Sequence, residues 1–296
     1  MLKEEKVLGV KINTGLDYPK TIEYIENTLL KDEKCHYICT TNPEFVMDAQ
    51  SDPAFRDIIN NSDLSVPDGA GVLFALEYNR RISKYSKKSL MFPLIAFYTG
   101  IAVGIKGFLK TKAFGEPIFG VSLAEKICDV ASKKGYSVFF LGGWPKDVFG
   151  SSIKTDMDLA TQAANVMRKK HPNIRIIGAT SCFNSDEEHD ASATAYIRDS
   201  MKKAGVKRLD FLLVAFTHVY QEKWILRNIK NIPVDISVGV GGSFDYFALI
   251  KTPSPEMVIQ RNLGWLFRLI TQPWRFKRIF KAFPLFPLTI FLKSLK

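Results

Sequence analysis

The chain has 296 residues, 46% of them hydrophobic and 24% charged, a balance that buries at least one sizeable core and excludes a disordered or fibrous chain. Its net charge of +11 is unevenly spread: residues 80–112 hold eight Lys and Arg and no acid, and residues 251–296 hold nine against Glu256 alone. Both basic stretches are rich in aliphatic and aromatic residues, which suits an anionic lipid surface and speaks against nucleic acid, where polar, Arg-dense grooves are expected.

The opening residues, 1–12, are charged and lack the apolar run of a secretory signal, so the body is expected in the cytoplasm. Thereafter short, charge-poor, β-branched runs alternate with helical patterns. Strands are expected at 7–12, 36–40, 137–141, 174–179, 209–215 and 234–240, and helices at 18–30, 43–60, 122–134, 159–170 and 185–204. Nearly continuous apolar runs of strand length suit parallel strands covered on both sides. The expected fold is therefore α/β, a Rossmann-like and mainly parallel sheet with helices on both faces.

Two segments break the alternation. Residues 89–105 are uncharged, contain Pro93, Gly100 and Gly104, and have lysines on both flanks. They fall short of the roughly 20 residues of a spanning helix and lack a one-sided basic bias, which favours an interfacial or re-entrant hairpin over a span; an ordinary buried helix pair is the third possibility. From about Thr252, Trp265, Phe267, Trp274, Phe276, Phe280 and Phe283 interleave with Arg261, Arg268, Arg275, Lys277, Arg278 and Lys281. That mixture places rings at an acyl boundary and cations at head groups, or packs on the core with a solvated basic face. Residues 1–251 are thus expected to form one domain with a hydrophobic basic insertion at 84–114, and residues 252–296 a basic helical appendage. Cys35, Cys39, Cys128 and Cys182 show no metal or disulfide spacing and read as core thiols in a reducing compartment.

Candidate chemistry gathers at strand ends, the edge where open α/β sheets bind ligands. In Cys-Thr-Thr-Asn-Pro-Glu at 39–44, Pro43 suits a first helical turn, so Asn42 is a natural N-cap and Thr40 lies at the strand's end. Twenty-six residues beyond Asn42, in Val-Pro-Asp-Gly-Ala-Gly at 66–71, Asp68 is held on a tight loop, either as a turn former or as a base for a substrate hydroxyl. Leu-Gly-Gly-Trp-Pro at 141–145 and Val-Gly-Val-Gly-Gly-Ser-Phe-Asp at 238–245 are glycine-rich strand ends. Their amides, at Gly142, Gly143 and Gly241, could face a phosphate, with Asp245 an acceptor for a sugar or base. Asp156-Met157-Asp158 has the form of a metal-binding DxD, but with no strand before it reads as a solvated helix cap, and Asp-Glu-Glu-His-Asp at 186–190 reads as an acidic first helical turn.

Taken in order, Thr-Thr-Asn-Pro-Glu-Phe, Val-Pro-Asp-Gly-Ala-Gly, Phe-Phe-Leu-Gly-Gly-Trp-Pro, Gln-Glu-Lys-Trp-Ile, Val-Gly-Val-Gly-Gly-Ser-Phe-Asp and Asn-Leu-Gly-Trp-Leu-Phe-Arg-Leu resemble the WecG/TagA/CpsF glycosyltransferases, over residues 7 to 281. The resemblance implies inverting transfer of a sugar, often of N-acetylmannosamine type, from a UDP-sugar to a polyprenyl-diphosphate-linked sugar, with no DxD metal and no cofactor. It implies Thr40 and Asn42 beside the reacting sugar, Asp68 as base, Gln221 near the donor and Asp245 on the uridine side. Arg268, Arg275 and Arg278 match arginines of an appendage that meets the diphosphate. Two segments depart from the family pattern: Pro117 and Ser122 stand where an Arg and an Asp are usual, and Phe-Thr-His-Val-Tyr at 216–220 replaces a glycine-and-proline loop. The implied setting is the cytoplasmic face of the cell membrane, peripherally bound through 84–114 and 252–296, in synthesis of a cell-surface polysaccharide. Self-association is compatible with the pattern. A binding protein without turnover, or a membrane scaffold, are the rival readings.

Overall fold

The computed structural model describes residues 2–110, 112–144, 158–251 and 264–296. Its centre is a six-stranded, fully parallel sheet in the order β4-β3-β8-β7-β5-β6. These strands are β3 (His36–Thr41), β4 (Leu64–Pro67), β5 (Ser137–Gly142), β6 (Arg175–Thr180), β7 (Leu209–Ala215) and β8 (Val234–Gly239). Side chains alternate across the sheet as a two-residue period requires. Cys39, Phe139, Leu141, Leu212 and Val214 enter one apolar layer, while Ile38, Val138, Phe140, Phe211 and Leu213 enter the other. The first layer is roofed by α2 (Pro43–Ser51), α3 (Pro53–Asn60), α4 (Ala70–Ile82), α8 (Glu187–Lys203) and α9 (Tyr220–Asn228). The second is roofed by α1 (Tyr18–Asn27), α6 (Gly120–Lys134), α7 (Leu159–Lys170) and α10 (Ser243–Phe247).

The α/β expectation holds, and three elements differ from the pattern. The run at 7–12 is a hairpin and not a strand of the main sheet: β1 (Lys3–Val7) pairs antiparallel with β2 (Val10–Thr14) around Leu8 and Gly9, at φ 50° and 80°. Two left-handed residues between paired strands form the tight turn whose twist matches the strands. The helix expected at 43–60 breaks at Asp52-Pro53, where Asp52 accepts from the Phe55 amide at 3.0 Å and caps α3. Residues 64–67, read as part of a loop, are an edge strand, where Pro67 leaves no ladder donor missing. Of the cysteines, Cys39 and Cys128 are core thiols as expected, whereas Cys35 is half-buried and Cys182 exposed; all four are free.

The apolar insertion forms a single 18-residue helix, α5 (Phe92–Leu109), instead of a hairpin. Pro93 sits harmlessly in its first turn, and the glycines serve packing rather than turning. Gly100 faces Tyr78, and a Cβ on Gly107 would lie 2.2 Å from the Phe74 ring, so α5 rides close on α4 along Ala96, Val103 and Gly107. Its opposite face, with Leu94, Phe97, Tyr98, Ile101, Ile105 and Phe108, is exposed. By length and composition α5 could cross a membrane, and 22% of it is buried against the body. The appendage supplies α11 (Gly264–Thr271), α12 (Phe276–Phe280) and α13 (Phe286–Ser294). Helix α13 packs on α4 and α5 through buried Phe286 and Ile290, its Ser294 hydroxyl 2.8 Å from the Tyr78 hydroxyl.

Replacing Gly107 with Ala should lower unfolding stability by about 1–3 kcal/mol, because the new methyl overlaps the Phe74 ring. Denaturant titration checks it, and a second change, Phe74→Leu, should recover part of the loss.

Candidate active site

The site is built where β3 and β8 end side by side. Their connections leave toward opposite faces, β3 into α2 of the first layer and β8 into α10 of the second, which opens a crevice at the carboxyl edge. The register between β3 and β4 pairs Thr41 with Pro67. One step further along both strands brings Asn42 beside Asp68, which explains the 26-residue spacing: it is one strand, two short helices and a return to the same edge. Asp68 donates its own amide to the Thr41 carbonyl at 2.9 Å, and Gly69, at φ 95°, turns the chain into α4.

Asn42 makes two contacts. Its Oδ1 accepts from the Phe45 amide at 3.1 Å, capping α2, and its side chain also hydrogen-bonds the Asp68 carboxyl. The Gly120 amide, at the start of α6, is a second donor to Asp68, and Arg268 supplies a nearby positive charge. Burial nevertheless dominates and pushes the Asp68 carboxyl up to about 6, against the lowering by Arg268, Asn42 and Gly120. Asp68 is half-buried at the crevice mouth. Thr40 is buried behind it, its hydroxyl 3.4 Å from the Gly239 carbonyl of β8 and close under Gly120.

The segment that departs from the family pattern forms the adjacent wall. Ile118 donates to the Pro67 carbonyl at 2.8 Å, continuing the edge of β4, and the Phe119 amide donates to the Tyr18 hydroxyl at 2.8 Å. Ser122 hydrogen-bonds the same hydroxyl, whose pKa is raised chiefly by burial, with Asp68 and Glu116 adding to it. Ser122 thus meets Tyr18, whose hydroxyl feels the Asp68 charge, and Pro117 immediately precedes Ile118. Tyr18 carried no motif, and only its packing against this wall reveals it.

Across the crevice, β8 ends in a loop organised by Gln221. The Gln221 side chain is buried, accepts from the Gly241 amide at 2.9 Å and donates to Glu222 Oε1 at 2.7 Å. Glu222, overlooked as a site residue although it lies in the Gln-Glu motif, is buried and also accepts the Val219 amide at 2.8 Å. Burial pushes its carboxyl up to about 7. It fixes which way the Gln221 amide points. Gly239 has no room for a side chain, since a Cβ would lie 2.6 Å from both Gln221 and Glu222. Asp245 is buried in the first turn of α10; one oxygen meets Lys251 at 2.6 Å and the other has no partner among the described residues. A buried acceptor left unpaired is costly, and a ligand donor would satisfy it.

Gly142 and Gly143 lie buried at the end of β5, at φ 85° and 96°. Side chains there would run into Phe216 and into Leu159 and Phe244, so packing alone accounts for these glycines. In the DxD sequence, Asp158 caps α7 through the Thr161 amide at 2.7 Å, as a solvated cap would, and Asp156 lies outside the described residues. Asp190, in the acidic first turn of α8, binds Arg227 at 2.8 Å.

The appendage brings its arginines over this crevice. Arg275 stands above Gly242, and burial together with the charges of Arg278 and Arg268 pushes its guanidinium down to about 10, eased by Tyr246 and Asp245. It remains cationic at neutral pH. Arg278 turns away to Glu44 of α2, bidentate at 2.7 and 2.8 Å. His218, whose Nε2 is 2.9 Å from Asp48, completes a group with Glu44 and Asp48 whose ligand atoms lie within 4.8 Å of one another. Both carboxylates are matched by cations, Arg278 and Lys281, so the group's charge is already balanced.

A titratable carboxyl and a set of crowded guanidiniums on one strand-end crevice make a candidate site for a proton acceptor beside an anionic ligand. Residues 5–99 and 94–296 match the model of the glycosyl transferase WecG/TagA/CpsF family, and the chain belongs to it. It is similar to the N-acetylglucosaminyldiphosphoundecaprenol N-acetyl-beta-D-mannosaminyltransferase of Bacillus subtilis, 27% identical over 91% of this chain and 84% of the relative. The proteins of the same name from Bacillus spizizenii and Staphylococcus aureus are 26% and 22% identical, over 87% and 97% of this chain and 80% and 94% of theirs. The chain is a glycosyltransferase.

Carbon-13 NMR of the aspartate carboxyls should show Asp68 titrating near 6. Arg268→Ala and Asn42→Ala should each move it higher, since both partners favour the charged form.

Proposed function

We propose that this glycosyltransferase moves a sugar of N-acetylmannosamine type from a UDP donor to a polyprenyl-diphosphate-linked N-acetylglucosamine, with inversion, at the cytoplasmic face of a membrane, in the making of a cell-surface polysaccharide. The acceptor and sugar are those in the names of the similar proteins. The observation that carries the reading is the placement of Asp68 between the Asn42 amide and Arg268, at the lip of the crevice.

In a single displacement the Asp68 carboxylate takes the proton of the acceptor hydroxyl, and that oxygen bonds to the anomeric carbon. The bond from that carbon to the UDP oxygen breaks, and its electron pair leaves with the diphosphate. Negative charge grows on the leaving group, and Arg268 and Arg275 supply cations that need no metal ion to do so. Gln221 and the Gly241 amide shape the donor side, Asp245 offers its unpaired oxygen to the nucleoside, and Thr40 borders the sugar. Arg278 acts through Glu44, as developed below, and Gly142 and Gly143 contribute the shape of the β5 turn.

Membrane contact falls to the outer face of α5 and the adjoining α13. The Phe97 and Phe291 rings lie 6.2 Å apart, joining the two helices into one apolar surface, with Lys84, Lys87, Lys88, Lys106 and Lys110 exposed around it. Such a face buries apolar side chains at the acyl boundary while the lysines meet anionic head groups.

A mass-spectrometric screen of UDP-sugars against the purified protein, followed by transfer to a short-chain lipid acceptor, tests the reading; release of UDP that depends on acceptor separates an enzyme from a binding protein. Asp68→Asn should lower transfer about 10²- to 10⁴-fold while UDP affinity stays within a few-fold. An unimpaired Asn variant removes the role. Since only the carboxylate takes the proton, kcat/KM should rise with pH through about 6 and then level off. A variant with Leu94, Phe97 and Ile101 changed to Ser should lose flotation with anionic liposomes while keeping turnover of a short soluble acceptor; equal loss of both would make α5 part of the catalytic body.

A further inference from the structure

The clasp between α2 and the appendage carries an inference that rests on this proposed function and deepens it. Five side chains meet there, Glu44, Asp48 and His218 of the body and Arg278 and Lys281 of the appendage. Glu44 holds Arg278 through two parallel hydrogen bonds, at 2.7 and 2.8 Å, and its carboxylate is only 9% exposed. Asp48, one helical turn on, pairs with Lys281. His218, from the loop after β7, stacks on Phe45 and lies between the two pairs: its Nε2 is 2.9 Å from Asp48 Oδ2 and 3.4 Å from Glu44 Oε1, and its Nδ1 is 3.3 Å from Arg278 Nη2. A ring with its hydrogen on Nε2 satisfies all of these contacts, since Nε2 then donates to the carboxylates and Nδ1 accepts from the guanidinium.

The two ends of this clasp sit next to the two halves of the chemistry. Glu44 is two residues beyond Asn42, whose side chain holds Asp68, and both lie in the start of α2. Arg278 is one helical turn beyond Arg275, and burial together with the charges of Arg278 and Arg268 pushes the Arg275 guanidinium down. One rigid helix start therefore grips the base on one side and the carrier of the guanidiniums on the other. The residues between Lys251 and Gly264 are outside the description, so among the described residues the appendage is held to the body by this clasp and by α13.

We propose that Glu44 is a positioning residue: through its bidentate pair with Arg278, supported by His218 and by Asp48 with Lys281, it sets where Arg268 and Arg275 stand relative to Asp68. A bidentate guanidinium–carboxylate pair constrains direction as well as distance, which a lysine in place of Arg278 would not. Glu44 touches neither substrate in this arrangement; its effect is carried by the appendage.

The test compares the full-length wild type with Glu44→Arg, Arg278→Glu and the double exchange. Each single variant should lose about ten-fold or more in kcat/KM, with the loss in kcat as well as in the donor KM, and the double should return to within about three-fold of wild type. The acid limb of the pH profile gives a readout that a merely structural pair would not move. In the single variants Arg268 no longer faces Asp68 correctly, so the limb should shift to higher pH, and in the double it should move back; Tyr18 also faces Asp68 and is unchanged throughout. Losses that simply multiply in the double variant, or singles that lose thermal stability with kcat/KM and acid limb intact, overturn the proposal. A wild type that transfers no sugar from any UDP donor refutes the proposed function instead. In that case the same four proteins are read by the Asp68 carboxyl titration in NMR, where an unmoved midpoint in the single variants overturns the clasp.

Discussion

A carboxyl group withdrawn from water loses its charge unless cations or hydrogen-bond donors restore it, and this balance at Asp68 is what the rest of the molecule is arranged around. Burial drives the group toward its neutral form, while Arg268, the Asn42 side chain and the Gly120 amide pull it back. The result is a carboxyl pushed up to about 6, above the range of a solvated aspartate and suited to the proposed role of proton acceptor. One of the three opposing contributions comes from the appendage. In the proposed mechanism the body by itself therefore lacks one of the partners of its base, which residues 264–296 supply.

Helix α2 is where these demands converge. Its N-cap reaches Asp68, its second residue holds Arg278, its next turn holds Lys281 through Asp48, and Phe45 supports His218. The opposite bank of the crevice is organised differently, mainly by buried amides and carboxyls, with Asp245 also paired to Lys251. Glu222 orients Gln221, Gln221 orients the Gly241 loop, and one oxygen of Asp245 has no partner among the described residues. Such a bank is preorganised toward a neutral, hydrogen-bonding ligand part, and the arginine side toward an anionic one. The division suits the proposed UDP donor.

The apolar surface of α5 and α13 belongs to the same mechanical unit. Helix α13 packs against α4 and α5 at one end of the appendage, while α11 carries Arg268 over the crevice at the other. The proposed lipid-facing surface is in this way continuous with the guanidiniums near Asp68, through a short run of helical turns and the clasp at Glu44.

Much of this was legible from the chain. The charge-poor runs at 36–40, 137–141, 209–215 and 234–240 become strands because parallel strands buried on both faces admit few polar residues. Asn42, Asp68, Gln221, Asp245, Arg268 and Arg275 could be singled out from local motifs and from resemblance, and all of them border one crevice. Local pattern failed where distance in the chain decided the outcome. Residues 64–67 are too short and too proline-bound to read as a strand until β3 lies beside them. Gly100 and Gly107 look like hairpin breakers until the rings of Tyr78 and Phe74 occupy the space their missing side chains leave. Glu44 reads as an ordinary first-turn acid, and its partner is 234 positions away. The sequence by itself determined the α/β class, the strand-end location of the site and the residue types available there, because these follow from short-range periodicity and turn chemistry. Only the tertiary structure decided which carboxylates are paired, which are withheld from water and which arginine is held by Glu44, because burial and Coulomb interaction depend on separation in space, which periodicity along the chain does not encode.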